Sequence, residues 1–130
     1  MWRHYYGDDL NKQTLFDPSI LYRPTHISHP SVKWASEFSE NYLYLLELTK
    51  QLGYEYSYRY YRKHKTIREL VKHLPDHPPP SMSIGKSTPA LAMPLIYQRK
   101  NPVESYRQYY KNDKKELLVY TNRTEPSWLL

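Results

Sequence analysis

Apolar side chains recur in steps of three and four at Ala35, Phe38, Tyr42, Leu45, Leu46, Thr49, Leu52, Tyr56 and Tyr60. That spacing returns to one side of a helix at every turn, so it predicts a long helix with one buried face. Pro30 suits the first helical position, where its missing N–H costs nothing, and His29 is the expected N-cap. Gly53 lies on the apolar face and costs about 1 kcal/mol relative to Ala. The pattern keeps its phase through it, so the helix is expected to run on to Tyr60, with a kink or a close helix crossing at Gly53.

A second, short helix is expected from Thr66. Thr66-Ile67-Arg68-Glu69 matches a capping box, in which each side chain satisfies a free backbone N–H. Leu70, Val71 and Leu74 form its apolar side, and Pro75 ends it. A last helix opens at Asn101-Pro102-Val103-Glu104, a cap followed by Pro at the first position. Val103, Tyr106, Tyr110, Leu117 and Leu118 outline its buried side, and Arg107, Lys111, Lys114 and Lys115 its basic side.

Between these helices lies a proline-rich crossover, residues 75–100, with Pro75, Pro78, Pro79, Pro80, Pro89 and Pro94. Such density forces extended, polyproline-like chain. Leu91, Met93, Leu95 and Ile96 suggest that its second half packs down. Residues 1–28 have no sustained period and read as an irregular arm, with a turn at Asp17-Pro18-Ser19 and a break at Pro24. Trp2, Tyr5, Tyr6 and Phe16 are the residues that would pin this arm, and Trp128 would anchor the tail. The expected fold is all-α: one long helix, one short helix, the crossover and a C-terminal helix, in a single small domain over residues 29–130.

Composition changes the picture chemically. The 130 residues contain no cysteine, which excludes disulfides, zinc fingers and thiol catalysis. No run of about eighteen apolar residues exists, so no membrane partner is expected. Arg3 and His4 are followed by no apolar stretch, so no secretory leader is expected, and the chain reads as cytoplasmic. Net charge is +6 and unevenly spread. Residues 1–56 hold five Lys/Arg against seven Asp/Glu, a net of −2; residues 57–130 hold fourteen against six, a net of +8. Six of those fourteen bases fall between Arg59 and Lys72, opposed there only by Glu69.

Overlapping this region, Tyr54–Lys65 packs five tyrosines, four fixed cations and His64 into twelve positions. Cations neutralise phosphates and rings stack on bases, so the pattern suits DNA, RNA or a nucleotide as partner. It also fits a solvated helix face, or an aromatic surface that binds a host protein. Phosphate contacts are assigned to Arg59, Lys63, Lys65, Arg107, Lys114 and Arg123, and stacking to Tyr58 and Tyr61. Glu55, four residues before Arg59, either forms an ordinary surface pair or holds the guanidinium in position for a phosphate. Glu55 and His64 are the candidates for acid–base chemistry. These groups converge only if the long helix and the last helix lie side by side. His26-x-x-His29 and His73-x-x-x-His77 have metal-compatible spacing but no third ligand in a recognisable pattern, and no glycine-rich phosphate loop is present. No metal or cofactor is expected.

Several spaced motifs carry a resemblance. They are His29-Pro30-x-x-x-Trp34, Asn41-Tyr42, Glu55-Tyr56-x-Tyr58-Arg59-Tyr60-x-x-Lys63-His64-Lys65, Thr88-Pro89, Ala92-Met93-Pro94, Val103-x-x-Tyr106-Arg107-x-Tyr109-Tyr110 and Arg123-x-x-Pro126-x-Trp128. Together, over roughly residues 22–128, they resemble a family of small proteins from tailed-phage genomes, which implies a viral or prophage origin. His29-Pro30 leading a helix, and a long helix ending in basic and aromatic residues, are more weakly similar to pyrimidine-dimer DNA glycosylases. Those enzymes use a processed N-terminal amine with a nearby Glu. Here the second residue is Trp2 and the first Glu is Glu37, so the amine chemistry is not expected, and the likeness leaves an enzyme acting on a nucleobase or glycosidic bond as an alternative reading.

Overall fold

A computed structural model describes residues 23, 25–74 and 76–130. Four α-helices lie among them: α1 (Pro30–Glu37), α2 (Ser39–Tyr60), α3 (Lys65–Glu69) and α4 (Pro102–Asp113). Single 3-10 turns follow at Val71–His73, Leu95–Tyr97, Lys115–Leu117 and Ser127–Leu129. The described residues contain no β-strand, so the architecture is all-α. The expected turn at Asp17–Ser19, the break at Pro24, the pinning by Trp2, Tyr5, Tyr6 and Phe16, and the stop at Pro75 lie outside the described residues.

Both proline-led starts form as the sequence dictates. His29 Nδ1 accepts from Ser31 N–H at 3.1 Å ahead of α1. Asn101 Oδ1 accepts from Val103 N–H at 2.8 Å ahead of α4. The predicted long helix is divided, however. Phe38 is extended, at φ −134° and ψ 151°, and separates α1 from α2. The first N–H groups of α2 then need acceptors, because a helix cannot supply them internally. The crossover provides them: Ser39 and Glu40 N–H donate to the carbonyls of Ser83 and Gly85 at 2.8 and 3.0 Å. Gly85 takes φ +131°, which side chains rarely tolerate, with the Phe38 ring against it.

Asn41 locks this junction. It is 1 % exposed, and its Nδ2 donates to the Trp34 carbonyl at 2.8 Å and to Ser87 Oγ at 3.0 Å. Its Oδ1 accepts from Ser87 N–H at 3.0 Å, and Trp34 Nε1 donates to the Ser87 carbonyl at 3.1 Å. At the other end of the crossover, Tyr106 Oη donates to the Ala90 carbonyl at 2.7 Å, while buried Ser105 Oγ accepts from Arg99 N–H at 2.8 Å. Packing joins helix and crossover too: among the described residues the buried apolar side chains are Ala35, Tyr42, Leu46, Val71, Met82 and Met93, the last two from the crossover.

Gly53 marks the crossing of α2 with α3. A Cβ there would stand 2.5 Å from Ile67 Cγ1, so only glycine allows this approach. The Thr66 capping box does not form. His64 is the N-cap, its Nδ1 accepting from Thr66 N–H at 3.2 Å, and Glu69 turns instead to Arg68 and Lys65. Three further expectations are corrected. Leu95 and Ile96 of the crossover are exposed, and only Met93 of that group is buried. Val103 and Tyr110 of α4 are exposed, as is Leu117 beyond it. Finally, the apolar stripe of α2 splits in two. Tyr42, Leu46 and Gly53 are buried, but Leu45 and Leu52, turned away from them, are not.

Candidate functional site

Glu55 organises the C-terminal half of α2. Arg59 Nε donates to Glu55 Oε1 at 2.7 Å. Arg123, from the tail, donates through Nε to Oε1 at 2.9 Å and through Nη2 to Oε2 at 2.7 Å. The Arg123 guanidinium stacks on Tyr58, its Cζ 3.7 Å from the ring centroid. Arg123, then Arg59, hold the Glu55 carboxyl well below the usual carboxylate range, at about 2. Glu55 is therefore ionised at neutral pH and has no proton to give.

The same contacts fasten residues 119–123 across the helix end. Arg59 Nη1 donates to the Val119 carbonyl at 3.1 Å, and its guanidinium lies 5.4 Å from the Tyr120 ring centroid. Asn122, at φ +55°, donates from Nδ2 to the Arg59 carbonyl at 2.9 Å. That carbonyl lies in the last turn of α2, so Asn122 satisfies an acceptor that the helix itself leaves open. The Glu55–Arg59 pair thus fixes a guanidinium, as one sequence reading expected, but aims it at the tail. Val119, Tyr120 and Asn122 were not among the candidates. Asn122 alone carries a signal, because Asn is a residue that accepts the left-handed conformation a tight turn needs.

Beyond the latch the chain forms a basic ledge. Tyr61 caps α2 in the left-handed region at φ +54°, with its N–H on the Ser57 carbonyl at 2.9 Å and its side chain 84 % exposed. Arg62, Lys63, His64, Lys65, Arg68 and Lys72 follow, all exposed. Tyr56 supports them from behind. Its Oη accepts from Arg62 Nε at 3.1 Å, and its ring meets those of Tyr60 and His64 at 4.8 and 4.9 Å. His64 spends Nδ1 on the α3 cap, which leaves Nε2 facing outward chemistry. Glu69 is the sole acid on the ledge, and it engages Arg68 at 2.8 Å and Lys65 at 3.7 Å.

The remaining candidates lie on α4 and the residue after it. Arg107 stacks over Trp128, Cζ 5.6 Å from the ring centroid, and Lys114 stacks over Tyr109 at 5.7 Å. Residues of α2 and α4 line a groove of about 740 Å³, and Tyr61, Lys63, Lys65 and Lys114 are not among its described lining residues. Arg59 and Arg107 both line this groove. Lys63, Lys65 and Tyr61 therefore form one set, Glu55, Tyr58, Arg59 and Arg123 a second, and Arg107 and Lys114 a third.

Among the described residues no three His, Asp or Glu side chains gather as a metal site, and no helix is long and apolar enough to cross a membrane. No family model, curated protein or solved structure matches the chain.

Proposed function

We propose that the chain binds the phosphate backbone of a nucleic acid along the ledge, without reading its sequence. The observation that carries this is the exposed run from Tyr61 to Lys72, in which five fixed cations face one acid. Arg62, Lys63 and Lys65 supply the phosphate contacts. Tyr61 presents a free ring face beside them, and stacking of that kind tolerates any base. Arg59 and Arg123 act indirectly, by holding the tail against the helix that carries the ledge. Glu55 is an anchor in this reading, and His64 a cap with one nitrogen left to donate to a phosphate. The motif resemblance to tailed-phage proteins sets this activity, within the same proposal, in the host cytoplasm.

Fluorescence anisotropy with a labelled single-stranded oligonucleotide across a salt series tests it. Each phosphate neutralised lowers the logarithmic salt slope by about 0.7 for single strands. A steep negative slope that flattens when Arg62, Lys63 and Lys65 are replaced by Ala supports the reading. An affinity indifferent to salt, or the same slope in the triple variant, overturns it.

A further inference from the structure

The groove between α2 and α4 is separate from the ledge and differs from it in chemistry. One wall is the second apolar face of α2, where Leu45, Leu48 and Leu52 are 39, 41 and 60 % exposed. Val103 and Tyr110 of α4 stand across from them. Large aliphatic side chains left open side by side on a small protein mark a contact surface, because scattered exposure would not align them on one helix face. The wall runs from Leu45 to Arg59, roughly 21 Å at 1.5 Å per residue, or about four helical turns.

Charge narrows the occupant. Among the described residues, the charged side chains lining the groove are Arg59 and Arg107, both cationic. Arg59 has committed Nε to Glu55 and Nη1 to Val119, while Arg107 has no carboxylate partner among the described residues. Two cations spread along a leucine-lined wall cannot neutralise a nucleic-acid backbone of that length. A second copy of the chain fits poorly too. A two-fold contact through this face would bring its arginines toward each other in a chain already at +6. Strand addition needs an open sheet edge, and the described residues have no strand. The remaining geometry is helix-in-groove recognition, with apolar anchors at i, i+3 or i+4, and i+7 meeting the leucine row.

We propose that this groove docks an amphipathic, acidic helix of a partner protein, its apolar face on Leu45, Leu48 and Leu52 and its carboxylates toward Arg107. The inference does not depend on nucleic-acid binding at the ledge.

The test uses the full chain and three labelled synthetic peptides of about 16 residues, long enough to span the groove as a helix. One is amphipathic with Leu anchors and Glu flanks, one has every Glu replaced by Lys, and one is a scramble of the first that loses the apolar face. The acidic peptide should bind and gain helical circular dichroism. The Lys peptide should bind at least about tenfold more weakly, and the scramble not measurably. Leu48→Glu and Leu52→Glu, both at exposed positions, should each weaken the acidic peptide by about tenfold or more, as loss of a central anchor does. Arg107→Glu should shift preference toward the Lys peptide. Three results overturn the proposal. The first is failure of the acidic peptide to bind, including through prior filling of the groove by the chain's own residues. The second is equal binding of the scramble, or displacement of the peptide by an oligonucleotide. The third is a concentration-dependent dimer in sedimentation that Leu48→Glu dissolves.

Discussion

The Arg123 guanidinium sits over the ring of Tyr58, its Cζ 3.7 Å from the centroid, and in that pose delivers two hydrogen bonds to Glu55 one turn away. A planar fork does both tasks at once, stacking with its face and bonding with its edge. The tail is thereby tied to the end of α2.

Arg123→Lys should therefore release the tail nearly as fully as Arg123→Ala. Lysine keeps the charge but can neither stack as a plane nor bridge both carboxylate oxygens. Hydrogen exchange at residues 119–123 is the measurement. Fast exchange in both variants is the expected outcome, while wild-type protection in Arg123→Lys would reduce the contact to simple charge attraction.

The latch should also open in acid. The Glu55 carboxyl is held at about 2 in the folded chain, against about 4.3 for a free glutamate. Its folded value is the depressed one, so the released state takes up the proton first as pH falls. The contribution of Glu55 is complete above about pH 4.3, declines below it and is gone under about pH 2. Protection of the Asn122 and Arg123 amides, followed between pH 6 and pH 2 (a range chosen to bracket about 4.3 and about 2), should fall only in the lower part of that range. In Glu55→Gln the acid step should disappear.

Gly53→Ala should destabilise the chain by about 1–3 kcal/mol through crowding against Ile67. Helix propensity alone predicts the opposite sign, a gain of about 1 kcal/mol. Thermal unfolding decides the sign, and Ile67→Ala in the same background should recover part of the loss.

Tyr61→Gly should raise stability by about 0.5–1 kcal/mol, because a left-handed cap strains any residue with a Cβ and the ring is almost fully exposed. Oligonucleotide affinity should fall in the same variant. A stacked base is worth about 1–3 kcal/mol, so a loss of at least about fivefold is expected if Tyr61 carries one.

Salt slopes should separate ledge from latch. Lys63→Ala should shallow the slope for a single-stranded oligonucleotide by about 0.7, one phosphate contact. Arg59→Ala should leave that slope unchanged, since its guanidinium is turned to Glu55 and Val119.

What the sequence disclosed follows the reach of each interaction. The starts of α1 and α4 were legible because His29, Pro30, Asn101 and Pro102 act within three residues of themselves. The break at Phe38 was not, because the acceptors that make it affordable belong to Ser83 and Gly85 in the crossover. Periodicity carried the helix through Gly53 to its end at Tyr60 but gave no start at Ser39, and it merged two apolar faces, since a stripe containing both Leu45 and Leu46 does not say which one is covered. Thr66 and Glu69 matched a capping box, yet the helix starts at Lys65, and His64, two residues before Thr66, is the N-cap and accepts the Thr66 N–H. In the site, Glu55–Arg59 was legible at its spacing of four. Arg123 was singled out for its charge, but no local rule names Glu55 as its partner.

Asn41 sets how the molecule assembles. Its side chain is buried, and both polar atoms reach Ser87, far along the sequence. Until the crossover arrives, burying Asn41 would leave Nδ2 with the Trp34 carbonyl alone and Oδ1 with no partner among those it has in the fold, which costs more than the burial returns. The α1–α2 junction is therefore not an early, self-sufficient nucleus, and its closure waits for the proline-rich crossover to lie down. A fragment ending at Leu74 should populate frayed helix without the fixed corner at Phe38. Folding of the intact body should appear as one concerted step, with the crossover acting as the keystone.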